Sequence, residues 1–229
     1  MLIEIDTKDG LSGLAAMHLY SRMRFILNLL PLISAASGLR RIVTVVGGTL
    51  EGAVDPNDFP GKNIPVWRVR SHVPTVITLG LEAVVKRAPE VSIVHCYPGT
   101  VKTEVQDRIQ GVYPILGTFL KFVTWVFGRW IVVPLEECGE RHLFLATSAR
   151  YPPRVRVDED SGAGVLVGEG VEVARGTDGV AGSGVYSVGW DCESASSKIE
   201  KLLEGYREKG MVEDIWRHVE SEFKRIEGS

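Results

Sequence analysis

Glu82-Ala-Val-Val-Lys-Arg-Ala-Pro-Glu-Val-Ser-Ile-Val-His-Cys-Tyr-Pro-Gly-Thr-Val-Lys-Thr-Glu104 contains, in order, a helix end, a break, a strand and a loop. Ile77, Leu81, Val84 and Val85 share one helical face, which carries the helix back to about Pro74, a residue tolerated in a first turn. Ala88-Pro89 stops it. The run from Val91 to Cys96 is short, mostly apolar and bounded by turn residues, as a strand buried on both faces is.

The pattern repeats outward from this unit. Between Ala16 and Ile33, Leu19, Met23, Ile26, Leu27 and Leu30 recur at steps of three and four, predicting a helix with one buried face that Gly38 ends. Arg41 to Val46 is a β-branched run halted by Gly47-Gly48, and residues 51–65, with three prolines, read as a loop. Strand, helix and strand in succession imply a parallel sheet with right-handed crossovers. Downstream, a helix is expected over Leu135–Ser148, with Cys138, Leu143, Leu145 and Ala146 close together. A long loop or β-ribbon follows over 152–184, then a last strand over Gly184–Trp190 and two charged helices, about Ser194–Arg207 and Met211–Ile226. The fold class is α/β, with residues 1–229 as one domain.

Composition narrows the function classes. A net charge of -3 without a basic block gives no footprint for nucleic acid. Cys96, Cys138 and Cys192 are an odd number without metal-ligand spacing, so no metal is expected, and a reducing, cytoplasmic setting fits. The N-terminus does not read as a secretory signal. Residues 114–134 are apolar and aromatic, but Lys121 and Arg129 would each cost about 2.5 to 3.5 kcal/mol near a bilayer centre. The segment reads as a lid or core element, with peripheral membrane contact as the alternative.

The stretch ending in Pro98-Gly99-Thr100-Val101-Lys102-Thr103 resembles the short-chain dehydrogenase/reductase family, whose Pro-Gly-x-Val-x-Thr segment follows the sixth strand. Ser21–Phe25, Pro134–Pro153, Gly182–Tyr186 and Lys209–Glu213 resemble a fungal branch of that family found beside secondary-metabolite genes, and the likeness runs from about Asp9 to the C-terminus. The resemblance implies a partial Rossmann-type, three-layer fold lacking the first strands. It also implies an NAD(P) cofactor, whose nicotinamide end Pro98, Gly99, Val101 and Thr103 would meet, and a homo-oligomer. The family's Gly-rich first turn lies outside the chain, and Gly162–Gly170 does not replace it because no helix follows.

Aligned on the same resemblance, the family's Tyr-x-x-x-Lys falls on Trp67 and Ser71, its serine near Gly47 and its asparagine near His18. Indole does not donate a proton as a phenol of lowered pKa does, and Ser71 supplies no cation. His72, expected at the head of the second helix, is the candidate acid or base. His18 and His95 read as packing residues, and Thr44, Thr49 and Tyr97 as polar groups near the strand ends. Tyr97, Phe119, Phe122 and Trp125 are the candidate substrate residues, and for the series Phe119, Phe122, Trp125 and Phe127, where the family places its substrate lid, an aromatic core stripe is the alternative. The expectation is an oxidoreductase-like protein for a small apolar, polyketide- or terpenoid-like substrate, unable to transfer hydride in the ordinary way alone. The alternatives are a non-redox cyclase or isomerase, or a non-catalytic binding module.

Overall fold

The computed structural model describes residues 6–101, 132–156 and 164–228, together with Thr118, Phe122 and Val126. Helix α1 (Gly13–Ala15) runs through a π-helical turn (Ala16–Tyr20) into α2 (Ser21–Ser34). Strand β1 (Arg41–Val45), helix α3 (Val66–Arg87) and strand β2 (Ser92–Cys96) follow, then β3 (Thr100–Val101), β4 (Val132–Val133), α4 (Leu135–Thr147), β5 (Val185–Val188), α5 (Ser197–Glu208) and α6 (Met211–Glu227).

The main sheet has the order β1-β2-β5, all parallel, with Val43 opposite Val94 and Val94 opposite Tyr186. Central β2 is wholly buried and sends alternate residues to opposite faces. Ile93 joins a core made with Leu19, Met23, Leu79, Ile215 and Val219 from α2, α3, α6 and the π-turn. Val94 and Cys96 join a second core with Leu145, Tyr151 and Tyr186, beneath α4. Two helical layers thus enclose one sheet, the α/β three-layer arrangement expected. A parallel pair of β3 with β4 forms a separate ribbon beyond it.

Arg41 ties β1 to α4. Its guanidinium donates to the carbonyls of Leu145, Ser148 and Tyr151, the last two at 2.6 and 2.5 Å, placing a cation at the carbonyl end of that helix. Burial pushes it down to about 10.

Three expectations need correction. α3 begins at Val66, two turns before Pro74, and Pro65 with extended backbone is the proline at its boundary. Pro74 is accepted inside the helix because its ring packs on Gly47, where a Cβ would sit 2.6 Å from Pro74 Cγ. Leu143 points to solvent, so of the cluster expected on α4 only Leu145 is fully buried. Gly38 lies beyond the helix end, which Ala35 caps. Of the aromatic segment, Phe122 is helical and exposed, as are Thr118 and Val126 one turn to either side, while Phe119 and Trp125 lie outside the described residues. No helix among the described residues is long and apolar enough to cross a membrane.

Candidate functional site

Ligands of open parallel sheets sit beyond the carboxyl ends of the strands. There the structure has a cleft of about 280 Å³, at the small end for a ligand site. Leu14 and His18 line it from the first helix, Val46, Gly47 and Leu50 from the end of β1, and Tyr97 from the end of β2. The fourth wall is α3, whose face at steps of three and four carries Val69, Arg70, Val73 and Pro74.

His18 lies in the π-helical turn, a local distortion that often marks functional positions. Its Nδ1 donates to the Leu14 carbonyl at 3.0 Å, leaving Nε2 without a protein partner among the described residues. The Arg70 guanidinium and the Tyr97 hydroxyl are likewise without a hydrogen-bond or ion-pair partner among them. The cleft therefore combines aliphatic walls with three polar groups able to engage a ligand.

A buried network holds the β1 loop over the strand ends. His95 Nε2 accepts the Gly47 N–H at 3.1 Å, so Nδ1 carries the proton and donates to Thr78 Oγ1 at 2.8 Å. Thr78 and Ser187 both donate to Glu51 Oε1, at 2.8 and 2.6 Å, and the Thr49 N–H donates to Ser187 Oγ. Gly48 closes the contact, since a Cβ there would lie 2.2 Å from the His95 carbonyl oxygen. Thr49 takes a left-handed φ of 66°, a conformation uncommon for a residue with a side chain. Burial pushes the His95 imidazole down to about 3 and raises the Glu51 carboxyl, whose Oε2 has no partner. In both groups burial disfavours the charged form.

The residues named from the sequence separate in space. His18 and Tyr97 line the cleft. Trp67 and Ser71 do not: Trp67 is 78% exposed, and Ser71 donates to the Arg68 carbonyl beside Gly52. His72 is not at a helix head but in the second turn of α3, 1% exposed, with its ring turned to the 51–65 loop. There the Asp55 N–H approaches Nδ1 at 3.4 Å and Nε2 donates to the Phe59 carbonyl at 3.1 Å. Both ring nitrogens are engaged by backbone. Thr44 is buried and accepts from Arg22 at 3.1 Å. Arg70, Glu51, Thr78 and Ser187 were not singled out. Only Arg70 had a usable signal, its place between Val66, Val69 and Val73 on one helical face.

Gly47-Gly48 is filled by Pro74 and by strand backbone rather than open to a phosphate, and α3 begins well beyond it. Gly99, with φ 80°, packs against Val133 and Trp190, where a Cβ would meet atoms at 2.9 and 3.0 Å. Pro98, Gly99 and Val101 lie beyond the carboxyl end of β2, and Thr103 is outside the described residues.

Relatives extend this picture. An oxidoreductase of Emericella variicolor is 34% identical over 226 residues, covering 98% of this chain and 64% of the relative. Another, of Emericella nidulans, is 37% identical over 94% of the chain and 62% of its own length. A short-chain dehydrogenase/reductase of Stachybotrys chartarum is 28% identical over 93% and 58%. The chain belongs to the short-chain dehydrogenase/reductase-like oxidoreductases of fungi. It spans about three fifths of the length of these relatives. No protein-family model matches the chain, and no solved structure gives a significant match. For a member of this family, the parallel β1-β2-β5 order and a cleft at the strand ends are where a ligand site belongs.

Proposed function

We propose that this oxidoreductase-like chain binds a small apolar, oxygen-bearing molecule of polyketide or terpenoid type, from fungal secondary metabolism, in the cleft at the carboxyl ends of β1 and β2. The observation that carries this reading is the cleft itself: walls of leucine, valine and proline, with His18, Arg70 and Tyr97 as its polar groups. A few polar groups set in apolar walls orient a ligand while burial holds it.

The described residues argue against ordinary nicotinamide hydride transfer by this chain alone. The face of α3 toward the cleft presents Val69, Arg70 and Val73, none of which donates a proton near neutral pH, and Trp67 and Ser71 look elsewhere. The free Nε2 of His18 favours a second reading, a proton-transfer enzyme such as an isomerase or cyclase, with His18 in the role first given to His72.

Saturation-transfer NMR with a panel of bicyclic and medium-chain ketones tests the first part, and NADPH fluorescence titration the second. The expected results are transfer to the ketones that Leu50→Trp abolishes, and NADPH binding no tighter than about millimolar. Absence of transfer to every ketone would remove the cleft from consideration. Micromolar NADPH affinity with ketone-dependent oxidation would restore ordinary reduction.

A further inference from the structure

We infer that the cleft is selective for an anion, taking a small apolar carboxylate whose charge Arg70 meets at the rim while the Tyr97 hydroxyl donates from the β2 end. The inference rests on reading the cleft as a ligand site and adds the chemical class of the ligand.

Three observations converge on it. Among the described residues no acidic side chain lines the cleft: the ten lining residues are aliphatic or glycine except for His18, Arg70 and Tyr97. Arg70 has no ion-pair or hydrogen-bond partner among the described residues, whereas other arginines of the chain are engaged. Arg22 donates to Thr44, Arg24 pairs with Glu227 at 2.5 Å, Arg87 caps Ala83 and stacks on Trp216, and Arg225 pairs with Glu222. An unpaired guanidinium over apolar walls offers a planar fork matched to a carboxylate, and charge-assisted bonds of this kind are stronger than neutral ones.

The third observation is the geometry of the polar groups. Arg70 stands on α3, Tyr97 follows β2, and His18 projects from the π-turn, so they approach the cleft from three different elements. Pro74 strengthens the arrangement, because it has no N–H for the Arg70 carbonyl and its ring forms the floor against Gly47. A ligand with an aliphatic body would lie on Leu14, Val46, Leu50 and Val73 and direct its carboxylate to the rim.

Hexanoate and 1-hexanol, matched in chain length and differing in charge, serve as probes in titrations of the purified chain followed by NMR. Hexanoate should bind at least tenfold more tightly than hexanol, an advantage that shrinks when sodium chloride is raised, as screening of an exposed cation requires. Arg70→Gln, a change at an exposed residue, should weaken hexanoate about tenfold to the level of hexanol and leave hexanol unchanged. Tyr97→Phe should weaken hexanoate severalfold. Equal binding of the two probes to the unaltered chain, or hexanoate affinity unaffected by Arg70→Gln, would overturn the anion inference while leaving an apolar ligand site. Absence of binding by both probes at tens of millimolar would overturn the cleft reading and this inference together.

Discussion

Replacing His72 with alanine distinguishes a histidine that holds a loop from one that moves a proton. The ring is 1% exposed and joins α3 to the 51–65 loop through the Phe59 carbonyl at 3.1 Å and the Asp55 N–H at 3.4 Å. The second bond is long and Asp55 is exposed, so water replaces it at little cost. The Phe59 carbonyl is half-buried, and losing its donor costs about 1 to 2 kcal/mol. The space vacated by the imidazole adds about 1 to 2 kcal/mol. The sum, about 3 kcal/mol, corresponds to a fall in Tm of about 6 to 12 °C for a chain of this size. His72→Gln, whose amide reaches toward the same carbonyl, should recover about a third of the loss. Melting followed by circular dichroism and hexanoate titration on the same preparation give both readouts, and affinity per folded molecule should be unchanged in both variants. An unaltered Tm together with a 10²- to 10⁴-fold fall in any turnover found for the chain would refute the structural reading.

Gly48→Ala drives a Cβ to within 2.2 Å of the His95 carbonyl oxygen and should cost about 3 kcal/mol, read as a lowered urea midpoint with an unchanged slope. Glu51 titrates higher in the folded chain than in the unfolded one because it is buried. Above pH 4.5 the unfolded state therefore binds fewer protons, and stability falls as pH rises. Glu51→Gln keeps the shape of the protonated acid, so its stability relative to the unaltered chain should increase from pH 4.5 to pH 8, and a pH-independent difference would refute this. His95 acts with the opposite sign. Its folded pKa of about 3 lies below the unfolded value of 6.5, so its contribution is present above pH 6.5 and lost on acidification toward pH 3. In Glu51→Gln the denaturation midpoint should rise across that window, and His95→Gln added to it should flatten the rise. Phe25, Leu29 and Leu32 form an exposed apolar stripe on α2, so self-association is expected at tens of micromolar in light scattering and should weaken in Phe25→Glu; a compact monomer would count against it.

Buried strands were the most legible part of the chain. β1, β2 and β5 are β-branched runs bounded by glycine or proline, and a strand, helix, strand order leaves few topologies open. The start of α3 was hidden because its first two turns, Val66-Trp-Arg-Val-Arg-Ser-His, hold β-branched and aromatic residues of weak helix propensity, while Pro74 carries a strong start signal. Tertiary packing on Gly47 overrode that signal. The His95–Thr78–Glu51–Ser187 network was beyond reach for another reason. Its members stand up to 136 positions apart, and nothing local to Ser187 or Glu51 marks them as partners.

The candidate site turns on a single step along α3. Successive residues of an α-helix point about 100° apart, so Arg70 and Ser71, adjacent in the chain, belong to different surfaces. Placing the family's Tyr-x-x-x-Lys on Trp67 and Ser71 by counting selects the surface that meets Gly52 and solvent. One residue earlier, the face meets the cleft, and Arg70 with Val66 shows the same four-residue spacing. Read on this face, α3 puts a permanent cation at the cleft. That cation is suited to holding a negative charge in place.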